Sequence, residues 1–317
     1  MDVHIPKFWV LWISTLAAVV IFIAFLLFYF WYHRRKQMFS PFTEDSLRLP
    51  GHSVRIMYSQ TGDNLLLLYF LFTFVFVGIP FFWIVLDGLL RYVFTAAALA
   101  CGVFILYKVW KQIGMLRSYG LGREGEEYTG QELNLLMRAG AFVFHDIPYK
   151  YGNIDHIVIG NNKIFVVETK AIRKPWSKDS NSKEAKVFFD GKVLKFPNFT
   201  TAKPVDQAML HAEFLSDILR KKCESEIPVI AVVALPGWYI ENENKFENVL
   251  VINPKRGKAL RNWIGKPEDK KARDKVVAYV ASVARSVDQA SDKTDPDASR
   301  KYDFWLNPRV KEAAIGD

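Results

Sequence analysis

Apolar positions are distributed unevenly along the chain, and three long uncharged runs fall in its N-terminal third. They are Phe8–Tyr32, Leu65–Leu86 and Val93–Tyr107. About 20 apolar residues span the hydrocarbon core of a bilayer. We therefore predict a membrane anchor over residues 1–110, with transmembrane helices at 8–32, 65–86 and 92–110 once the third run is extended at its edges.

A cleaved signal peptide is the alternative interpretation of the first run. The run is long for such a peptide, and no small-residue cleavage site follows it. Aromatic residues of the kind that collect at membrane interfaces lie at its two ends, namely Trp9, Trp12, Trp31 and Tyr32. These ends favour a transmembrane helix.

Positively charged residues follow the first and third runs and predict the orientation in the membrane. Because such residues are retained on the cytoplasmic side, we expect the N-terminus outside, a cytoplasmic loop at 33–64 and a cytoplasmic C-terminal region. A multi-pass protein of the bacterial inner (plasma) membrane fits this arrangement, with the lipid bilayer as one partner. Cys101 and Cys223 provide no disulfide framework.

Shorter hydrophobic periods follow the anchor and predict one mixed α/β domain at 117–290, with a tail at 291–317. Gly120–Gly122 is expected to break the chain before a helix at 123–139, which Gly140 ends. Strands are expected at 141–148, 153–159, 163–169, 227–235 and 249–252, and further helices at 204–222, 257–264 and 268–290. The helix after Pro204 is expected to bury Val205, Ala208, Met209, Ala212, Leu215 and Leu219.

Polar residues interrupt two of these apolar strands, and turn geometry predicts that they meet. If Asn161 and Asn162 form a two-residue hairpin loop, paired positions have numbers that sum to 323. Asp155 and Glu168 then face each other, with their Cβ atoms about 5 Å apart. Lys170, two residues after Glu168, points to the same face.

A third carboxylate is expected to approach this group from the preceding helix. Counting back seven residues from the apolar Leu133 places Glu126 on the buried face of that helix. Carboxylates gathered in an apolar sheet repel each other unless one is protonated or a cation lies between them. Oxygen ligands of this kind suit Mg²⁺ or Mn²⁺, with Asp155, Glu168 and Glu126 as the metal ligands. A buried Glu168–Lys170 ion pair that serves only the fold is the alternative.

The stretch after Lys170 is basic, and the whole chain has a formal net charge of +9. Within the predicted insertion at 172–196, we expect contacts to nucleic acid from Arg173, Lys174, Trp176 and Lys178. A hairpin is expected around Asp190-Gly191. A solvated loop without a ligand is an equally good interpretation of the insertion.

Four short motifs in order give the chain a family resemblance. They are Gly122-x-x-Gly125-Glu126, Gly152-Asn153-Ile154-Asp155-His156, Val166-Val167-Glu168-Thr169-Lys170 and Lys203-Pro204-x-x-Gln207. Between about Leu121 and Phe246 the chain resembles the nuclease-related domain (NERD), a family related to the PD-(D/E)XK, restriction-endonuclease-like fold. The family usually has Asn before the proline where this chain has Lys203, which affects the entry to the helix rather than the chemistry.

The resemblance implies a restriction-endonuclease-like mixed sheet flanked by helices, with Asp155, Glu168, Lys170, Glu126 and Gln207 as its catalytic set. It also implies a Mg²⁺-dependent nuclease, here held at a membrane. The residues alone leave DNA or RNA open, although DNA is the expected partner, and a homodimer is a further expectation. Two alternatives stay open: a tethered nucleic-acid-binding or scaffold module that does not cleave, and a membrane sensor.

Overall fold

The computed structural model describes residues 20–21, 23–29, 31–32, 46–149, 152–175, 186–241, 249–256, 264–265 and 270–285. The chain divides into two units, Met1–Asp45 and Ser46–Asp317. In the first unit, the described positions between 20 and 32 are helical. Most of the first predicted span, 8–32, therefore lies outside the described residues, as does the tail at 291–317.

Two long helices begin the second unit, α1 (His52–Val85) and α2 (Leu89–Asn134). In the part of the chain that is described, these are the two helices long and apolar enough to cross a membrane, judged by length and composition. They contain the predicted spans at 65–86 and 92–110 almost entirely. A short turn joins them, and they pack through Phe82 on Phe94 and Trp83 on Tyr92. Their remaining surface is rich in exposed large apolar side chains.

Within the cytoplasmic loop predicted at 33–64, the chain is helical from His52 onward. Residues 33–45 of that loop lie outside the described residues. Gly51 precedes the helix with a φ of 69°, a left-handed conformation that glycine adopts without strain. The first turns of α1 then pack on α2, because Val54 and Tyr58 lie against Gly122 and Gly120. The helix is therefore stabilised by tertiary contacts that the sequence pattern does not show.

The prediction of a break at Gly120–Gly122 is wrong, since α2 continues through these residues to Asn134. These glycines serve close packing, as does Gly125, where a Cβ atom would lie 2.5 Å from the Cβ of Ala171. A short 3-10 turn at Leu135–Ala139 follows α2. Gly140 ends it with a φ of 91°, as the sequence predicts.

A five-stranded mixed sheet forms the centre of the domain, in the order β1-β2-β3-β7-β9. Its strands are β1 (Phe142–Tyr149), β2 (Gly152–Ile159), β3 (Ile164–Thr169), β7 (Val229–Ala234) and β9 (Val249–Ile252). The strands β1, β2 and β3 form an antiparallel meander, and β7 and β9 continue the sheet in parallel with β3. All five agree with the predicted strands to within a few residues.

A small second sheet has the strand order β6-β5-β4-β8, and its strands β4 and β5 belong to the insertion at 172–196. Its strands are β4 (Lys186–Phe189), β5 (Leu194–Lys195), β6 (Thr200–Thr201) and β8 (Tyr239–Glu241). The predicted hairpin at Asp190-Gly191 is confirmed, because Phe189 pairs with Leu194 on either side of it.

Two further helices pack against the central sheet, α3 (Lys203–Cys223) and α4 (Lys270–Ala284). Pro204 lies in the first turn of α3, where its missing N–H costs nothing. Met209 is 45% exposed, contrary to prediction, and His211 is the buried neighbour at 2%. The helix predicted at 257–264 lies outside the described residues except for Ile264. These elements place one end of β3 between α2 and α3.

Candidate functional site

The register of the β2–β3 hairpin brings Asp155 and Glu168 together. His156 pairs with Val167 and Ile159 with Ile164, so paired numbers sum to 323 as the turn predicts. Asp155 and Glu168 occupy the next facing positions along this ladder. The backbone N–H of Thr169 donates a 2.7 Å hydrogen bond to Oδ2 of Asp155. The carboxyl of Asp155 is thus held across the end of β3.

Glu168 is the most deeply buried of the acidic side chains, at 1% exposure, and it has two basic neighbours. The Nζ atom of Lys170 lies 2.7 Å from its Oε1, and Nδ1 of His211 lies 3.2 Å from its Oε2. The second contact has the distance of an ion pair without the alignment of a hydrogen bond, and neither Oε2 nor Nδ1 has a hydrogen-bond partner in the described part of the chain. Burial by itself raises the pKa of Glu168, but Lys170 and His211 lower it overall to below its ordinary value.

Glu126 reaches the same site from α2 and is buried, as the heptad spacing predicts. The helix can approach because the adjacent Gly125 lies against Ala171, the residue after Lys170. Burial, with the negative charges of Asp146 and Glu168, raises the pKa of Glu126 from 4.5 to about 8. This carboxyl is therefore largely protonated at neutral pH in the metal-free protein.

Asp155 shares this electrostatic environment but lies at a partly exposed position of β2. Desolvation raises its pKa well above the ordinary value, and the charges of Glu168 and Glu126 add to the rise. The site thus combines one stable carboxylate, Glu168, with two carboxyls that ionise reluctantly. Environments that separate the pKa values of neighbouring acids are a frequent property of functional sites.

Behind the site, on the other face of the sheet, two buried histidines form a hydrogen-bonded chain. Nε2 of His145 lies 3.0 Å from Oδ1 of Asn134, and Nδ1 of His145 lies 2.9 Å from Nδ1 of His156. Nε2 of His156 then lies 3.1 Å from the hydroxyl of Thr169. Since the amide oxygen of Asn134 only accepts, His145 donates to it, His156 donates to His145, and Thr169 donates to His156.

This order requires both imidazoles to be neutral, and their surroundings agree. Burial lowers the pKa of His145 to about 4. Burial and the neighbouring His145 lower the pKa of His156 well below its usual range. Thr169 therefore links the two faces of β3, because its hydroxyl binds His156 while its N–H binds Asp155.

The predicted catalytic residue of α3, Gln207, makes no polar contact to the carboxyls of the site in the described part of the chain. Gln207 is half-buried in α3, and no hydrogen bond or ion pair of its side chain is found within the described ranges. His211, one turn further along α3, makes the contact to Glu168 instead, and its place on the apolar stripe is the signal that the sequence offered.

Arg173, the first of the predicted nucleic-acid contacts, is exposed, and its guanidinium donates to the carbonyl of Arg117. The Nζ atom of Lys174 lies 6.0 Å from the ring centroid of Trp238. Trp176 and Lys178 lie outside the described residues.

The donor chemistry at this site fits a divalent cation, although the side-chain arrangement is not that of a finished metal centre. Across the described ranges, no group of three or more His, Cys, Asp or Glu side chains is arranged to hold a metal ion. Three carboxyls nevertheless interact electrostatically, and Oε2 of Glu168 has no hydrogen-bond partner among the described residues. A cation near Asp155, Glu168 and Glu126 would relieve their mutual repulsion.

Comparison with known proteins agrees with the motif resemblance. Residues 121–236 match the family model of the Nuclease-related domain (NERD). The matched region includes Glu126, Asp155, Glu168, Lys170 and Gln207. No curated protein and no solved structure gives a significant match to the chain.

Proposed function

We propose that the chain is a membrane-anchored, metal-dependent nuclease of the restriction-endonuclease-like class, which hydrolyses phosphodiester bonds on the cytoplasmic side. The observation that carries the proposal is the convergence at the end of β3. There Glu168 is paired with Lys170, Asp155 faces Glu168, and Glu126 approaches from α2. The matching nuclease-related domain model supports the reaction class.

Each residue of the site has a chemical role in this proposal. Asp155, Glu168 and Glu126 would hold Mg²⁺ or Mn²⁺, which supplies a Lewis acid and a water of lowered pKa when bound. The side chain of Lys170 is 35% exposed, and its ammonium would contact a phosphate while it stays anchored on Glu168. Its positive charge would stabilise the negative charge that develops on the phosphate oxygens. Thr169 keeps Asp155 in place through its backbone N–H.

The proposal also includes the surroundings of the site. The long apolar helices α1 and α2 support attachment to a bilayer. An N-terminus outside is proposed from the positively charged residues that follow the first and third apolar runs. Arg173, Lys174, Trp176 and Lys178 are proposed to contact the nucleic-acid backbone, with DNA as the expected substrate, and a homodimer is proposed as the assembly.

Cleavage by the full chain in detergent micelles tests the function. Plasmid DNA and a structured RNA would be incubated with the protein and Mg²⁺, and in parallel with EDTA. We expect Mg²⁺-dependent cleavage that Asp155→Asn and Glu168→Gln each reduce by at least about 100-fold, because each removes a charged oxygen ligand. Asp217→Asn, on the exposed face of α3, is the matched control. Cleavage that persists in both site variants would show that the site is wrongly assigned.

A tethered binding or scaffold module that does not cleave is the second candidate, and one observation favours it. Both oxygens of Glu168 already lie within ion-pair distance of Lys170 and His211. A site whose central carboxylate is already contacted by its own side chains can retain the fold without the reaction. Binding of labelled DNA that is equal in Mg²⁺ and EDTA, with no cleavage of either substrate, would support this candidate.

A further inference from the structure

The segment that leads into the first described membrane-helix candidate also contacts β2, the strand that carries Asp155 of the candidate site. We call Arg48–Ser53 the root segment, because it precedes α1 and includes the first two residues of that helix. Arg48 is almost fully buried, and its NH1 atom donates to Oδ2 of Asp146 on β1 at 3.0 Å. The side chains of Arg48 and Asp146 are 6% and 3% exposed. This is a buried charge pair that joins the anchor to the domain.

Two further side chains complete the link. The hydroxyl of Ser53 donates to Oδ2 of Asp146 at 2.8 Å. The amide of Asn153, on β2, donates to the hydroxyl of Ser53 at 2.6 Å and to Oδ1 of Asp146 at 3.3 Å. The root segment thus contacts both β1 and β2, and Asn153 is two residues before Asp155 on the same strand.

The main chain of the root segment is fixed independently of these side chains. The N–H of Arg48 donates to the carbonyl of Ala284 at the end of α4. Pro50 occupies the space where a side chain at Gly130 of α2 would stand. Substituting that glycine would displace the proline. The segment is therefore packed between the sheet, α2 and α4.

The position of Asp146 connects this link to the carboxyls. Asp146 lies between the pairs His145–His156 and Ile147–Ile154, so it occupies the position facing Asp155 across β1 and β2. Its φ of 52° is left-handed, which is uncommon for a residue other than glycine and is maintained only by its surroundings. The charge of Asp146 also helps to raise the pKa of Glu126. Asp146 therefore lies between the root segment and the site.

We propose that the root segment is a positioning element of the carboxylate site: Arg48 and Ser53 fix Asp146 and Asn153, and through them the part of β2 that carries Asp155. A tilt or rotation of α1 in a bilayer would then reach the site through these contacts, of which the Arg48–Asp146 charge pair is the most deeply buried. This inference deepens the proposed nuclease function and rests on it for its catalytic consequence. The mechanical link itself is independent of cleavage.

Hydrogen exchange of the full chain in detergent micelles measures the link directly. Arg48→Met removes the charge and keeps much of the side-chain volume, so Asp146 remains buried with no cation beside it. We expect amide exchange in β1 and β2 to accelerate at least about 10-fold, with little change in β7. Arg48→Lys, which keeps the charge, should give an intermediate rate. Arg220→Met, in an exposed ion pair on α3, is the matched control.

A double variant separates positioning from a general loss of folding. In Arg48→Met with Asp146→Asn, no charge is left buried, and we expect exchange in β1 and β2 to return to within about threefold of the wild-type rate. Unchanged exchange in Arg48→Met would overturn the inference. Exchange in the double variant that is as fast as in Arg48→Met would also overturn it, because the charge pair would then not be the cause.

Steady-state kinetics test the catalytic consequence. Because the root segment has no expected contact with substrate, Arg48→Met should lower kcat about 10-fold or more with KM unchanged, and the double variant should recover most of kcat. A wild-type chain that cleaves no substrate argues against the proposed function alone, and exchange then decides the inference. A wild-type chain that cleaves, with kcat unaltered by Arg48→Met, overturns the inference alone.

Discussion

The backbone N–H of Thr169 donates a 2.7 Å hydrogen bond to Oδ2 of Asp155, while the hydroxyl of the same threonine binds His156 on the opposite face of the sheet. One residue therefore couples the candidate site to a buried histidine pair. The hydrogen bond from Thr169 holds the carboxyl of Asp155 in a fixed orientation across the end of β3.

Replacing Thr169 with valine tests the histidine side of this coupling. The substitution keeps the shape and the backbone N–H but removes the hydroxyl, so Nε2 of the fully buried His156 loses its partner. A buried polar atom without a partner costs about 1–3 kcal/mol. We expect Thr169→Val to lower the free energy of unfolding by that amount, measured by urea denaturation of the full chain in micelles. Thr200→Val, at an exposed position of β6, should change it little.

Lys170→Met should make stability depend on pH in a new way. In the wild type the lowered pKa of Glu168 contributes stability that is present above pH 4.5 and lost as pH falls through the folded pKa. Without Lys170, burial dominates and raises the pKa of Glu168. The variant should therefore lose stability as pH rises above 4.5, the ordinary pKa of the carboxyl, by about 1–3 kcal/mol since Lys170 is partly solvated.

Thermal unfolding in EDTA at several pH values would measure this effect. Lys186→Met is the matched control, because Lys186 pairs with Glu241 on the exposed face of the small sheet. A parallel pH response of the wild type and Lys170→Met would contradict the assigned ion pair. Loss of cleavage in Lys170→Met is expected in addition.

Glu126→Gln should stabilise the metal-free protein at alkaline pH. The folded pKa of Glu126 is about 8 against an ordinary 4.5, so its contribution to stability is full below pH 4.5 and is lost as pH rises through 8. The difference between these pKa values corresponds to roughly 5 kcal/mol at pH 9. Glutamine cannot ionise, so the variant should be more stable than the wild type at pH 9 and similar to it at pH 5.

Denaturant unfolding in EDTA at pH 5, 7 and 9 checks this prediction. Glu213→Gln, at an exposed position of α3, should show no such crossover. A variant whose stability relative to the wild type is equal at all three pH values would show that Glu126 is ionised throughout. Addition of Mg²⁺ should then stabilise the wild type more than Glu126→Gln, because a ligand that binds only the folded state shifts unfolding.

His211→Phe and Gln207→Ala together locate the functional residue of α3. His211 contacts the buried Glu168, whereas Gln207 is half-buried one turn away. Residues that orient a metal ligand typically contribute about 10–100-fold in activity. We expect His211→Phe to lower kcat by that factor and Gln207→Ala to change it less than about threefold. The opposite order would favour the glutamine that the family motif indicates.

Much of the site was determined by local sequence. The two-residue turn at Asn161–Asn162 sets the β2–β3 register, and a period of two residues then places Asp155, Glu168 and Lys170 on one face. The heptad spacing from Leu133 to Glu126 fixes the inward side of α2 in the same way. Such predictions succeed because neighbours in a hairpin or along a helix follow from backbone geometry alone.

What the sequence could not determine is which distant surfaces meet. The contacts of Arg48 with Asp146 and of His211 with Glu168 join segments that are far apart in the chain. The glycines of α2 likewise allow close packing only because Tyr58 and Ala171, from other elements, lie against them. Turn geometry and periodicity extend over a few residues, whereas these contacts depend on how whole elements pack. The sequence by itself therefore determined the strand-borne acids and the apolar helices. Only the tertiary structure decided which basic side chains contact the acids and where the segment that leads into α1 packs on β1 and β2.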